Sequence, residues 1–190
     1  IAAIEIAAAY DQEKAIVPEV CILFGDKLFR GNRTTKINAE SFDAFQSFNY
    51  PALANIGIHI HYDYSAIDYT PRTEPVSAFC DVDTNIAILK IFPGMRPEVI
   101  DAVTGIPGLK GIILETYGSG NAPTNKVFLN KIKEVLSKGI FVYNVTQCQG
   151  GSVEMGKYET SRELLNAGVI SGHDITTEAA VCKMMYVLGK

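Results

Sequence analysis

Residues 86–92 read IAILKIF, residues 111–114 read GIIL, and residues 140–145 read IFVYNV. These three apolar runs decide the fold, because each has the length of a buried strand and helical stretches separate them. The first helical stretch, residues 97–103, begins with a proline; the second, residues 123–138, begins with a proline and is followed by a glycine, which are common start and stop signals. Strand, helix, strand, helix, strand at this spacing predicts a parallel sheet with right-handed crossovers.

The fold class that follows is α/β. We expect residues 84–190 to form a flavodoxin-like or Rossmann-like three-layer α/β/α domain around the parallel sheet. Residues 64–83 contain two prolines and no regular periodicity, so they are predicted to be a linker. Residues 1–63 are then the C-terminal portion of an N-terminal α/β domain, in which a helix over residues 1–11 precedes a buried strand of the parallel type over residues 20–24.

The composition excludes several classes of function. With 47% hydrophobic and 20% charged residues the chain is typical of globular proteins. A net charge of −4 without a run of Lys and Arg argues against nucleic acid and against an anionic membrane as partners. No apolar stretch approaches the roughly 18 to 20 residues of a membrane-spanning helix. Because the chain starts without Met inside an apolar helical pattern, we expect it to be the later part of a longer protein.

Cysteine and histidine residues give no metal pattern. The four cysteines are widely spaced, which favours reduced, buried thiols and a cytoplasmic location, although an even number leaves two disulfides open. His59 and His61 share one face of a short strand, but no third ligand follows at a suitable spacing. We therefore predict no metal site.

A polar cluster, RGNRTTK at residues 30–36, follows the apolar run over residues 20–24 after a GDK turn and a short LF step. Two adjacent hydroxyls followed by an ammonium group can act together, because a lysine held near a threonine assists proton transfer. The alternative is an ordinary polar loop with solvated Arg and Lys side chains. The heptad alone does not decide between them.

A second candidate is YGSGN at residues 117–121, which follows a predicted strand of the parallel sheet. Ligands of such sheets lie beyond the C-terminal strand ends, and glycines allow close approach of the backbone. An Asn ahead of a helix suits a small anionic or amide-bearing ligand, although it can also be a simple N-cap. The spacing does not match a dinucleotide fingerprint.

Five segments taken in order are more specific than any one of them: RGNRTTK at 30–36, YGSGNAP at 117–123, TQC at 146–148, AGVISGHD at 167–174 and TEA at 177–179. Together they closely resemble the bacterial-type L-asparaginases, and most of all the cytoplasmic type I branch, over essentially the whole chain. The resemblance implies hydrolysis of L-asparagine to L-aspartate and ammonia by a threonine nucleophile, with no metal or organic cofactor. It also implies a homodimer or homotetramer whose active site is completed by a neighbouring subunit.

The resemblance assigns roles to particular residues. Lys36 matches the lysine of the family's Thr-Asp-Lys triad, and Arg33 and Thr34 shape the loop that presents it. Asn121 matches the asparagine that a neighbouring subunit contributes to the α-amino and α-carboxyl end of the substrate.

A regulatory site is also implied, with one departure. In some type I members an allosteric asparagine site lies near the positions matching Thr35 and Cys148, together with a basic residue. This chain has Glu115 at that third position, and a carboxylate there would repel the effector's carboxylate. We therefore expect that the site is not kept in the same form.

The larger departure is that the Thr-Gly-Gly-Thr and Thr-Asp-Thr segments, which hold the family's nucleophile and the Thr-Asp of its triad, do not occur in these 190 residues. We expect the chain alone to be inactive. Two alternatives stay open at this point. One is a non-catalytic amino-acid-binding or assembly module, and the other is a related amidase acting on glutamine or in a transamidation complex.

Overall fold

The computed structural model describes residues 1–71, 75, 77–123 and 125–190. The chain divides into two compact units, Ile1–Ala78 and Phe79–Lys190. This division falls within the predicted linker over residues 64–83, part of which lies outside the described residues. The domain limits 1–63 and 84–190 stay a prediction.

The first unit consists of short elements joined by turns. In its described residues these are α1 (Ala2–Ala7), β1 (Tyr10–Asp11), β2 (Lys14–Ala15), β3 (Cys21–Phe24), β4 (Lys27–Arg30), a 3₁₀ turn (Gly31–Arg33), β5 (Thr35–Lys36), β6 (Phe45–Gln46), β7 (Ala54–Ile56) and β8 (Ile60–Tyr62).

The main sheet of the first unit is antiparallel, in the order β3-β4-β7-β8. The prediction of a parallel strand buried on both faces at residues 20–24 is therefore wrong. Phe24 pairs with Lys27 across a two-residue turn, and Gly25 supplies the positive φ of +60° that such a turn needs. Every residue of β3 is only half-buried.

The first helix is also shorter than predicted. It ends at Ala7, and Tyr10 then pairs with Ala15 in a small β1–β2 hairpin. The turn places Gln12 and Glu13 at φ values of 46° and 69°, so the chain leaves the helical conformation before residue 11.

The second unit alternates strands and helices, as predicted. Its elements are β9 (Ile86–Lys90), α2 (Pro97–Thr104), β10 (Gly111–Thr116), α3 (Lys126–Ser137), β11 (Phe141–Thr146), α4 (Glu159–Ala167), β12 (Ile170–Ser171) and α5 (Thr177–Gly189). The four strands pair only in parallel, in the order β12-β11-β10-β9. The C-terminal strand ends, and the loops that follow them, therefore meet at one edge of the sheet.

Two apolar layers enclose this sheet. Ile112, Leu114 and Val142 point to one face, where they pack in a single core with buried side chains of α2, α3 and α4. Ile113 and Val145 point to the other face, where they pack against α5. The predicted three-layer α/β/α architecture is confirmed for this unit.

The structure also bears on membrane-spanning helices and on the burial of the four cysteines. No helix among the described residues is long and apolar enough to cross a membrane. The expectation of buried thiols is wrong, because Cys21 is half-buried and Cys80, Cys148 and Cys182 are exposed. All four thiols are free.

Candidate active site

The loop that carries Lys36 has a defined main chain. The 3₁₀ turn reverses the chain after β4, and the buried Thr34 donates its hydroxyl to the Arg30 carbonyl at 2.7 Å. Thr35 and Lys36 then form β5, in which Lys36 pairs with Phe45 of β6. The Lys36 side chain is exposed, with its ammonium nitrogen 5.9 Å from the centre of the Phe45 ring. The loop therefore presents the ammonium group on a fixed backbone.

Aromatic packing fixes the β5–β6 ribbon against the rest of the unit. The rings of Phe24 in β3 and Phe45 in β6 lie 4.9 Å apart at a tilt of 52°. Such tilted pairs add stabilisation beyond the apolar area that they bury.

Arg30 holds the start of the same loop. Its guanidinium forms a two-pronged ion pair with Glu19, with one prong at 2.9 Å, and donates to the Ala66 carbonyl at 3.2 Å. The guanidinium also lies over the Tyr50 ring at 4.2 Å, and that of Arg33 lies 5.5 Å from the same ring. The resemblance assigns Arg33 and Thr34 a role in shaping this loop. In the structure Arg33 contacts the Tyr50 ring and Thr34 contacts the Arg30 carbonyl.

The pKa of Glu19 reflects this pairing. Burial acts to raise the pKa of its carboxyl, but hydrogen bonds from Arg30 and from the Asp68 N–H, together with the charge of Arg30, lower it by more. The net pKa lies below the usual value, so the carboxylate and its ion pair persist to lower pH than an exposed glutamate would. Sequence reasoning missed Glu19, because no local pattern links two residues 11 positions apart on different segments.

The second candidate, the loop over residues 117–121, lies at the C-terminal edge of the parallel sheet. Tyr117 and Asn121 exchange main-chain hydrogen bonds of 2.9 and 2.8 Å, which close the loop into a tight ring. Gly118 and Gly120 have φ values of +48° and +105°, which explains why glycine occupies both positions. Asn121 is half-buried at the end of the ring.

Asn121 is not the cap of the following helix. That role belongs to Asn125, whose side-chain oxygen accepts from the Phe128 N–H at 2.8 Å. The simple N-cap interpretation of Asn121 is therefore wrong.

The Thr146–Cys148 segment joins the ends of the neighbouring strands. Thr146 donates its hydroxyl to the Gly118 carbonyl at 2.6 Å and accepts from the Cys148 N–H at 3.0 Å. The Gln147 amide donates to the Ile91 carbonyl at 2.6 Å and to the Glu115 carbonyl at 2.9 Å. Glu115, Asn121 and Cys148 therefore lie on one cross-linked edge of the sheet, whereas Thr35 and Lys36 belong to the other unit.

The carboxylate of Glu115 already has partners within its own unit. It accepts from the Thr177 hydroxyl at 2.7 Å and lies 3.3 Å from the ammonium nitrogen of Lys90. These bonds link the end of β10 to the start of α5 and to the end of β9.

Metal binding finds no support in the described part of the chain, where no cluster of three or more His, Cys, Asp or Glu could hold an ion. His59 and His61 are both exposed.

Two family models match this sequence. The glutaminase/asparaginase C-terminal domain matches residues 85–190, and the asparaginase N-terminal domain matches residues 1–68. The chain belongs to the glutaminase/asparaginase family. The two matches cover most of both units.

Similar proteins agree with this assignment. The chain is 40% identical over 183 residues to L-asparaginase 1 of Escherichia coli (strain K12), covering 92% of this chain and 51% of that protein. It is 38% identical over 191 residues to the L-asparaginase of Dirofilaria immitis, covering 100% of this chain and 31% of that protein. The crystal structure of L-asparaginase I from Vibrio cholerae O1 matches with a TM-score of 0.81 at 38% identity, covering 92% of this chain and 52% of that one.

The chain thus spans about half the length of the E. coli and V. cholerae relatives, and less of the third. The predicted resemblance to the type I L-asparaginases is confirmed.

Proposed function

We propose that this chain forms part of an L-asparaginase, an amidohydrolase that converts L-asparagine to L-aspartate and ammonia. The observation that carries the proposal is 38–40% identity to two proteins named L-asparaginase over at least 92% of the chain. The description of the family model names glutaminase as well, so L-glutamine is the second substrate to consider.

In this proposal Lys36 is the catalytic lysine. The oxygen of a threonine hydroxyl attacks the side-chain amide carbon of the substrate, and the hydroxyl loses its proton. The Lys36 ammonium group assists this proton transfer. The C–N bond then breaks, the nitrogen leaves with an added proton as ammonia, and water hydrolyses the acyl-threonine to aspartate. The threonine nucleophile belongs to a segment outside these 190 residues, since the Thr-Gly-Gly-Thr and Thr-Asp-Thr segments are not among them.

Asn121 is the proposed substrate-binding residue. A side-chain amide has both a donor and an acceptor, so it can contact the α-amino and α-carboxylate groups of an amino acid together. The tight ring over residues 117–121 supports the proposal, because it fixes the main chain from which the amide projects. The role requires a homodimer or homotetramer in which Asn121 completes the site of a neighbouring subunit.

We also propose that the asparagine effector site of some type I members is not kept in the same form. Thr35 and Cys148 stand at two of its positions, but Glu115 stands where a basic residue is expected. The bonds from Lys90 and Thr177 hold the Glu115 carboxylate in place, and a second carboxylate beside it would be repelled. The free thiols of the chain support a reducing, cytoplasmic location.

A chimera tests the proposed activity directly. This chain replaces the matching region of E. coli L-asparaginase 1, and ammonia release is measured with L-asparagine and with L-glutamine. We expect release from L-asparagine at a rate at least about tenfold above that from L-glutamine, and none from the 190-residue chain alone. Faster release from L-glutamine would make the protein a glutaminase. A folded chimera that releases ammonia from neither amide would favour the non-catalytic binding module.

A further inference from the structure

Two polar side chains are fully buried beneath the loop over residues 117–121. Thr116 is the last residue of β10, Asn144 lies on the adjacent strand β11, and both have 0% exposure. The Thr116 hydroxyl donates to the Asn144 side-chain oxygen at 2.6 Å. In this arrangement the Asn144 oxygen faces Thr116 and its amide nitrogen faces away from it, while the Thr116 hydroxyl also lies 3.4 Å from the Val145 carbonyl.

The amide nitrogen of Asn144 is buried and has no hydrogen-bond partner. Buried side-chain donors are nearly always paired, and an unpaired one costs free energy that an apolar residue of similar size would not. Val142, two residues earlier on the same face of β11, is apolar and fully buried in the core. The polar residue at position 144 therefore calls for a functional explanation.

Gly120 lies next to this nitrogen. A side chain at position 120 would meet the Asn144 nitrogen at 3.3 Å and Val153 at 2.9 Å, and the φ of +105° at Gly120 also favours glycine. The unpaired donor is thus covered by the main chain of the residue that precedes Asn121.

The same loop is held at two other points by its carbonyls. Thr146 donates to the Gly118 carbonyl at 2.6 Å, and the Glu154 N–H donates to the Ser119 carbonyl at 2.9 Å. Asn144 is placed to be a third point of support, from within the sheet.

We propose that Asn144, oriented by Thr116, is a positioning residue for Asn121. When Asn121 binds its ligand, a main-chain carbonyl of the loop accepts the Asn144 amide donor, so loop order and ligand binding reinforce each other. The inference rests on the proposed function for the identity of the ligand, L-asparagine.

Kinetics of the chimera give the first test. Asn144→Leu removes the amide, Asn144→Asp keeps the acceptor for Thr116 but removes the donor, and Val142→Ala is a buried control on the same strand. We expect KM for L-asparagine to rise about tenfold in both Asn144 variants, with kcat within about threefold of the unsubstituted chimera. Val142→Ala is expected to lower Tm and leave KM unchanged. A rise in KM for Val142→Ala equal to that in the Asn144 variants would overturn the proposal.

Hydrogen exchange of the chimera, with and without the product L-aspartate, gives a second test that needs no activity. The Gly120 and Asn121 N–H groups both donate to the Tyr117 carbonyl, so their exchange reports on the closed loop. We expect L-aspartate to slow exchange at these two amides about tenfold in the unsubstituted chimera and in Val142→Ala, and to leave it unchanged in Asn144→Leu. Equal slowing in Asn144→Leu would overturn the proposal. If the unsubstituted chimera releases no ammonia while exchange responds as expected, the proposed function fails and the positioning role of Asn144 stands.

Discussion

The Glu19–Arg30 ion pair holds the start of the loop that carries Lys36. Arg30 ends β4 directly before the 3₁₀ turn, and its guanidinium pairs with Glu19 and lies over the Tyr50 ring. Removing one partner of a pair this shielded leaves an uncompensated charge, which is more costly than losing an exposed pair.

The first unit should therefore lose stability in acid through Glu19. Its folded pKa is lowered, so the stabilisation is fully present above the pKa of the unfolded chain, near 4.3, and is lost as pH falls through the folded pKa. Urea unfolding followed by circular dichroism at pH 6 and at pH 3.5 measures this loss. We expect Glu19→Gln to be less stable at pH 6 and to lose less on acidification, while the exposed Glu40→Gln control keeps the full loss. An equal loss in Glu19→Gln and in the unsubstituted chain would show that Glu19 is not responsible.

Cys21 should be the least reactive thiol of the chain. Burial and the nearby charge of Glu19 raise its pKa to about 11, against the weaker opposing effect of Arg30. At pH 8 roughly one such thiol in a thousand is ionised, and the thiolate is the reactive form. We expect iodoacetamide to modify Cys21 at least about tenfold more slowly than the exposed Cys148, as followed by peptide mass spectrometry. In guanidinium chloride the two rates should converge, and equal rates in the folded chain would contradict the assignment.

At the scale of single elements, the start of α3 allows the capping asparagine, Asn125, to be compared with Asn121, which is proposed to bind substrate. Asn125→Ala removes the cap bond to Phe128 and should lower the free energy of unfolding by about 1 kcal/mol. Asn121→Ala keeps that bond, so it should lose less stability but weaken substrate binding in the chimera. Urea unfolding and KM for L-asparagine measure the two effects. The reverse pattern, a loss of stability in Asn121→Ala and of binding in Asn125→Ala, would exchange their roles.

Sequence periodicity was sufficient for the order of β9, α2, β10, α3 and β11, whereas α4 and β12 were not predicted and α3 begins at Lys126, three residues after its predicted start. The predicted helix over residues 97–103 and strand over residues 140–145 differ by one residue at their ends from Pro97–Thr104 and Phe141–Thr146. Alternating strands and helices leave few topologies open, because each crossover must return to a parallel neighbour.

Periodicity did not predict whether a short strand pairs in a parallel or an antiparallel sheet, because that depends on the strand beside it. A short apolar run such as residues 20–24 fits a parallel or an antiparallel sheet, and here the run pairs antiparallel with β4. The Thr116–Asn144 hydrogen bond was missed for a related reason, since neither residue signals that the other lies within reach on the adjacent strand.

At the scale of the whole chain, the residue at which the second unit begins can be tested. Phe79 packs edge-to-face on Tyr186 of α5 at 5.0 Å, and the Asp83 N–H donates to the Met185 carbonyl at 2.9 Å. A fragment over residues 84–190 loses these contacts, and a fragment over Phe79–Lys190 retains them. We expect both to unfold cooperatively in urea, with the longer one more stable by about 1 kcal/mol from the aromatic pair. Equal stability would place the limit at residue 84, as the sequence predicted.

The proposed catalytic role of Lys36 is tested most directly by one measurement. Lys36→Ala and the control Lys27→Ala, which also removes an exposed lysine of the first unit, are compared in the chimera with E. coli L-asparaginase 1. For Lys36→Ala we expect kcat for ammonia release from L-asparagine to fall by about two orders of magnitude or more at unchanged Tm, and for Lys27→Ala to stay within about threefold. A Lys36→Ala variant that keeps kcat within the same threefold range would contradict the account.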